Sequence, residues 1–307
     1  MRIVSRAYNG YEDFTSVMTF LRETFSRTNS YQNWFPDRFE DNLGRFEGSQ
    51  VIDDIRIWEE TNDIVTSSQR RIVALANPEL PTDYFIQIDP AYSFLEREIL
   101  KWIEKHCLEK KKDANKKERL KIHTIEGNPA RELLLSHLGY QKGETFSYLR
   151  LRPINLPIPR IDHLENYEIR SIKGKSDYDQ LASVIRLVFG HGEWFTAGTY
   201  ERITRCSFYR QDLDLVAVAP DGTLASFCTF RMDPVSKITN LEPVGTHPKH
   251  RKSGLAKALI FMGLKRAKRY NPTLLYVGGA NTPAANRLYD SAGYTEKFAE
   301  HCWYKEI

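Results

Sequence analysis

Apolar positions in the second half of the chain switch repeatedly between two periods. Tyr167 to Ile172 is a short strand-like run, after which Leu181, Val184, Ile185 and Val188 recur at helical spacing. Leu213–Ala219 and Thr223–Arg231 are apolar-rich segments joined by Pro220-Asp221-Gly222, which predicts a hairpin. Ile238–Thr246 predicts another strand. Leu255 to Tyr270 predicts a helix with Leu255, Leu259 and Met262 on one face. Leu274–Val277 reads as a strand and Ala284–Ser291 as a helix. Tyr294–Phe298 and Cys302–Lys305 read as two closing strands.

The first half holds matching pieces. Ile86-Gln87-Ile88-Asp89-Pro90 precedes a helix at about Phe94–Cys107, as Val244-Gly245-Thr246-His247-Pro248 precedes the helix at Leu255. Asn128 through Gly139-Tyr140 resembles Asn281 through Gly293-Tyr294. These correspondences predict a tandem repeat of one mixed-sheet α/β fold. A length of 307 residues also suits two cores better than one. Pro153, Pro157 and Pro159 oppose helix and favour a stiff extended connector. The expected division is a first domain at 1–152, a linker at 153–163 and a second domain at 164–307.

Composition excludes several classes. No run of 18 apolar residues occurs, so no membrane span is expected. The segment Met1–Arg6 lacks the apolar core of a secretory signal, which points to a cytoplasmic protein. Cys107, Cys206, Cys228 and Cys302 are far apart, so reduced packed thiols are expected rather than a disulfide framework or a zinc site. The net charge of +4 is local: Lys110 to Lys121 carries +5, without an aromatic residue. A solvated surface stretch explains it better than a nucleic-acid face.

The segment Val244 to Lys257 carries the most chemistry. It reads strand, polar loop, helix start. Helix N-termini present about four unpaired N–H groups and a partial positive charge of roughly half a unit, which suits anions. Gly254 permits close approach to the backbone, and Ala256 keeps the next turn small. Arg251, Lys252 and Lys257 add positive charge. A pyrophosphate fits this site. The Walker and Gly-x-Gly-x-x-Gly patterns are absent.

Arg251-Lys252-Ser253-Gly254-Leu255-Ala256 resembles Arg/Gln-x-x-Gly-x-Gly/Ala, the coenzyme A motif of the GNAT superfamily. Asn281 to Tyr294 resembles that family's second signature, Asn-x-x-Ala-x-x-Leu-Tyr-x-x-x-Gly-Tyr/Phe. The resemblance covers residues 165–307 well and the first half faintly. It implies an α/β fold, two GNAT-like acyl-CoA N-acyltransferase domains in tandem. It also implies acetyl-CoA as acyl donor and an amine-bearing small molecule or peptide as acceptor, with no metal. The amine would attack the thioester directly, so positioning and an oxyanion-facing N–H from the Val244-Gly245-Thr246 strand would matter.

By the same resemblance, Tyr289 would protonate the leaving thiolate, core packing being the other reading. Glu242 would act as base, with acceptor binding or a surface charge as alternatives. Ser253, Leu255 and the rest of the 251–257 loop would hold the diphosphate. Asn281 and Asn286 could bond the pantetheine or adenine side, although Asn281 also suits a helix N-cap. His247 and His250 lack companions for a metal set. In the first half, Glu96 falls opposite Gly254 and Leu135 opposite Tyr289, so that copy is expected to be degenerate and non-catalytic. The loop Gly190–Gly198 would face the acceptor, with Glu193 toward a cation and Trp194 and Phe195 supplying apolar area, unless both aromatics are core.

An N-acetyltransferase, monomeric or homodimeric, is the leading expectation. A non-catalytic acyl-CoA-binding regulatory module is the alternative. A tandem transferase using aminoacyl-tRNA has only the lysine run in its favour.

Overall fold

Chain pairing rather than sequence order decides which residues share a sheet. The computed structural model describes residues 2–45, 50–61, 70–111, 117–160, 164 and 166–307. Residues 161–163 of the expected linker and 112–116 of the lysine run lie outside the described residues. Two compact units form, one of residues 1–147 with 298–307 and the other of residues 148–297. Relative to a division at 152 and 164, the final strand joins the first unit and residues 148–152 join the second.

The first unit contains β1 (Arg2–Ala7), α1 (Gly10–Thr28), α2 (Pro36–Arg45), α3 (Gln50–Asp53), β2 (Arg56–Thr61), β3 (Arg71–Leu80), β4 (Asp83–Ile88), α4 (Glu96–Lys110), β5 (Arg119–Ile125), α5 (Pro129–His137) and the start of β6 (Gln141–Arg152). β1 to β4 run antiparallel in order, and β4 pairs β5 in parallel across the α4 crossover. Residues 300–306 then add antiparallel to β5. One apolar cluster packs α4 and α5 on the sheet, and a second packs α1 and α2 on its other face.

The second unit repeats this order with β7 (Glu168–Ser171), α6 (Lys175–Phe189), α7 (Ala197–Ile203), β8 (Asp214–Val218), β9 (Leu224–Met232), β10 (Ile238–Thr246), α8 (Leu255–Ala267), β11 (Leu274–Val277) and α9 (Pro283–Ser291). β7 to β10 are antiparallel and β10 pairs β11 in parallel. Residues 150–152 of β6 close this sheet against β11. The repeat is therefore a tandem mixed α/β fold in which the strands of each unit include one from outside its own repeat.

A further match confirms the repeat. Arg6 grips Asp13 through two bonds of 2.6 Å, and Arg170 grips Asp177 at 2.6 and 3.0 Å. Both pairs are seven residues apart and join the first strand to the first helix. In both, the carboxylate also accepts a backbone N–H four residues upstream, from Asn9 or Lys173.

One sequence expectation is corrected. The two closing strands are a single strand, β12 (Glu296–Glu306). Glu300 and His301 look like a break, but they pair with Ile125 and Thr124, and ladder pairing overrides their low strand preference.

Candidate active site

The site starts where β10 leaves its neighbour. β10 pairs with β11 only over Ile238, Thr239 and Asn240, yet it stays paired with β9 as far as Thr246. A bulge falls between Leu241 and Val244. Pro243 has no N–H to give the ladder, which suits an interruption there. Among the described residues, no strand pairs with the β11-facing edge of Val244-Gly245-Thr246. Gly245 is required by close approach: an added Cβ would lie 2.5 Å from Phe227 and 2.7 Å from Val188. Ser226 Oγ donates to the Gly245 carbonyl at 2.7 Å and fixes this segment from the β9 side.

The strand runs into a tight loop and then α8. His247 caps a single 3-10 turn, its Nδ1 accepting from the Lys249 N–H at 3.2 Å. Lys252 and Gly254 both take left-handed backbone, at φ 65° and 80°. Gly254 is the N-cap of α8 and offers no side-chain cap, so the first N–H groups of the helix stay open. A Cβ on Gly254 would meet nothing within 4 Å, so the mouth of the helix is sterically open. Arg251 Nε reaches the Thr246 carbonyl at 3.3 Å, while Ser253 Oγ donates to the His250 carbonyl. Burial, then the positive charges of His250, Lys249 and Arg251, hold His247 below its ordinary range. The loop is electropositive, and an anion is its natural occupant. Among the described residues no cluster suits a metal ion.

Two groups suited to proton transfer lie beside this strand. Tyr289, on α9, is buried among the apolar residues behind β9 and β10. Burial and then the nearby charge of Glu242 push its phenol well up, so it holds its proton throughout the neutral range. Glu242, half-buried at the bulge, accepts from Asn240 Nδ2 at 3.1 Å and lies 3.7 Å from the Arg231 guanidinium. A buried phenol and a half-buried carboxylate thus lie near β10, which runs into a loop and a glycine-started helix.

The family model described as Acetyltransferase (GNAT) family matches residues 181–294. That segment resembles a GNAT domain. No curated protein sequence matches the chain. Among solved structures, a GCN5-related N-acetyltransferase from Sphaerobacter thermophilus is 16% identical with a TM-score of 0.66, covering 99% of this chain and 95% of that one. A tandem GNAT protein from the clavulanic acid biosynthesis pathway is 13% identical with a TM-score of 0.67, covering 99% and 98%. Saccharomyces cerevisiae N-myristoyltransferase, solved with myristoyl-CoA, is 14% identical with a TM-score of 0.58, covering 99% and 80%. These likenesses show the fold, a tandem GNAT form. The family match supports acyl transfer as the general chemistry.

Within the GNAT domain some expected roles shift. Asn281 is exposed, and Thr282 is the N-cap of α9, accepting from the Ala285 N–H at 3.2 Å. Asn286 is spent internally: its Nδ2 donates to the Ala280 and Thr282 carbonyls, and its Oδ1 accepts from Arg150 at 2.7 Å. Arg150 is the residue that sequence reading missed. It is fully buried and also holds the Tyr294 carbonyl at 2.9 Å and the Asp290 carboxylate, locking α9 and hence Tyr289. Its only sequence signal is an arginine between Leu149 and Leu151, with Arg152 following.

The loop before α7 divides its aromatics. Phe195 is buried against α6 and β9, whereas Trp194 is 57% exposed. Glu193 is exposed, its carboxylate 3.9 Å from Arg186. A polar cluster on the same face of the sheet was also missed. Asp214 accepts from Tyr200 at 2.5 Å, Tyr209 at 2.8 Å and Thr229 at 2.8 Å, and complete burial raises its carboxyl.

The first unit handles its equivalent helix end differently. Glu96 opens α4 and is buried in an ion pair with Arg131 at 2.9 Å. Leu135 is buried core where the second unit has Tyr289.

Proposed function

We propose that the protein is an N-acetyltransferase that moves the acetyl group of acetyl-CoA to a primary amine by direct attack, with the reaction carried by the second unit. The observation that carries this reading is the uncapped, glycine-opened start of α8 beside an unpaired strand edge. The N–H groups around Ser253-Gly254-Leu255-Ala256 would hold the diphosphate, with Arg251, Lys252 and Lys257 adding charge. The edge of Val244, Gly245 and Thr246 would pair with the pantetheine arm and direct an N–H at the carbonyl oxygen. The space beside Gly254 supports this: a Cβ there would meet nothing within 4 Å among the described residues. Acetyl-CoA when bound supplies the activated acyl group.

Tyr289 would return a proton to the departing thiolate, which its raised, protonated state suits. Glu242 would accept the amine proton, directly or through water. Trp194 and Glu193 are exposed and available to an incoming amine. Phe195 is buried and would shape that loop from beneath. The buried Glu96–Arg131 pair supports a first unit that binds no acyl-CoA. No described helix is long and apolar enough to cross a membrane; a cytoplasmic monomer or homodimer that binds no nucleic acid completes the reading.

The test is release of coenzyme A thiol from acetyl-CoA against a panel of amines. Amine-dependent release is expected. Binding of acetyl-CoA without turnover on any amine would favour the regulatory-module alternative.

A further inference from the structure

The first unit carries a second concentration of reactive groups, on the face of its sheet away from α4 and α5. Strand register assembles it. Asp83 of β4 pairs with Lys121 of β5, and His123 of β5 pairs with Cys302 of β12. Side chains alternate across a sheet. Asp83, His123 and Cys302 therefore emerge on one face, while Tyr84, Ile122 and Trp303 enter the apolar cluster with α4.

The imidazole of His123 links the other two. Its Nε2 is hydrogen-bonded to Asp83 Oδ1, and its Nδ1 lies 3.5 Å from Cys302 Sγ. Lys121 Nζ takes the second carboxylate oxygen at 3.2 Å. Phe85 stacks on the imidazole at 4.1 Å and 11°, and Phe146 meets its edge at 5.9 Å. The ring is thus held from its face, its edge and both nitrogens. Burial opposes its charge, but Asp83 and then Cys302 outweigh that and raise His123 to about 9.

A nucleophile, a base within reach, and a carboxylate orienting the base form the arrangement used for acyl transfer through a covalent thioester. We propose that Cys302, His123 and Asp83 form a second, nucleophilic site that accepts acyl groups from activated esters or thioesters as S-acyl-cysteine. Cys302 Sγ forms the bond to the carbonyl carbon. The carbon–oxygen or carbon–sulfur bond of the donor breaks, its electron pair leaves with the departing group, and His123 supplies the proton. No oxidant or reductant is involved. Cys302 itself is buried and Phe146, at the edge of His123, is 53% exposed, so only a small donor suits the site. The other buried thiols lack this setting: Cys107 and Cys228 lie in apolar clusters, and burial pushes both up.

The test uses the whole chain with p-nitrophenyl acetate at neutral pH and no coenzyme A, so it is independent of the acetyl-CoA site. A burst of nitrophenolate, with acetyl mapped by mass spectrometry to Cys302 ahead of the half-exposed Cys206, is expected. Cys302→Ala should abolish the burst, and Asp83→Asn should slow it about 100-fold. If an Asp83 variant does not fold, the competition between Cys302 and Cys206 in the unaltered chain still decides. Acetylation of Cys206 with Cys302 left unmodified, or a burst that survives Cys302→Ala, overturns the proposal.

Discussion

Tyr289 is a packed side chain that, in the proposed reaction, would also carry chemistry. It is core-like in burial, and that burial keeps its proton in place. Replacing it with phenylalanine keeps the ring and removes only the hydroxyl. The expected outcome is a kcat lower by about 100-fold with the Kd for acetyl-CoA unchanged, read by steady-state kinetics and calorimetry. Gly245 makes the opposite case, where space alone decides. Gly245→Ala should cost about 1–3 kcal/mol, seen as a lower denaturation midpoint, because Phe227 and Val188 leave no room. His123 gives a pH dependence of known sign. Its folded value of about 9 lies above the unfolded 6.5, so its contribution is complete below pH 6.5 and is lost as pH rises through 9. Unfolding free energy should fall by on the order of 3 kcal/mol across that window, and Asp83→Asn should flatten the slope.

At the scale of elements, the loop and α8 were readable because a strand, tight loop and helix start are written in consecutive residues. Arg251 to Ala256 are neighbours in sequence and in space. Arg150 was not readable, since its partners Asn286, Asp290 and Tyr294 come from 136 residues or more away. The N-cap of α9 was misplaced by one residue. Asn281 and Thr282 are both good caps, and only backbone geometry selects the threonine. Thr282→Ala should therefore cost about 1 kcal/mol, whereas Asn281→Ala should leave thermal stability unchanged. Gly254→Ala places a side chain at φ 80°, costing roughly 1–2 kcal/mol, at the mouth of the anion site. Acetyl-CoA affinity should fall more than overall stability.

For the whole molecule, tandem repetition was legible from two sets of matching segments, but the partition of strands was not. Periodicity shows that a strand exists; it does not say which edge the strand completes. Residues 298–307 belong with the first unit although they end the second repeat. Removing Phe298–Ile307 should therefore disrupt protection of amides in β5, measured by hydrogen exchange, before it affects α8. The degenerate character expected of the first repeat rests on Glu96 opposite Gly254 and Leu135 opposite Tyr289; Glu96 is held by Arg131 at the start of α4. The most direct measurement is a calorimetric titration of the intact chain with acetyl-CoA. One molecule bound per chain, lost on substitution at Gly254 and retained on substitution at Glu96, is the expected result; no uptake at millimolar ligand, or two molecules per chain, would contradict it.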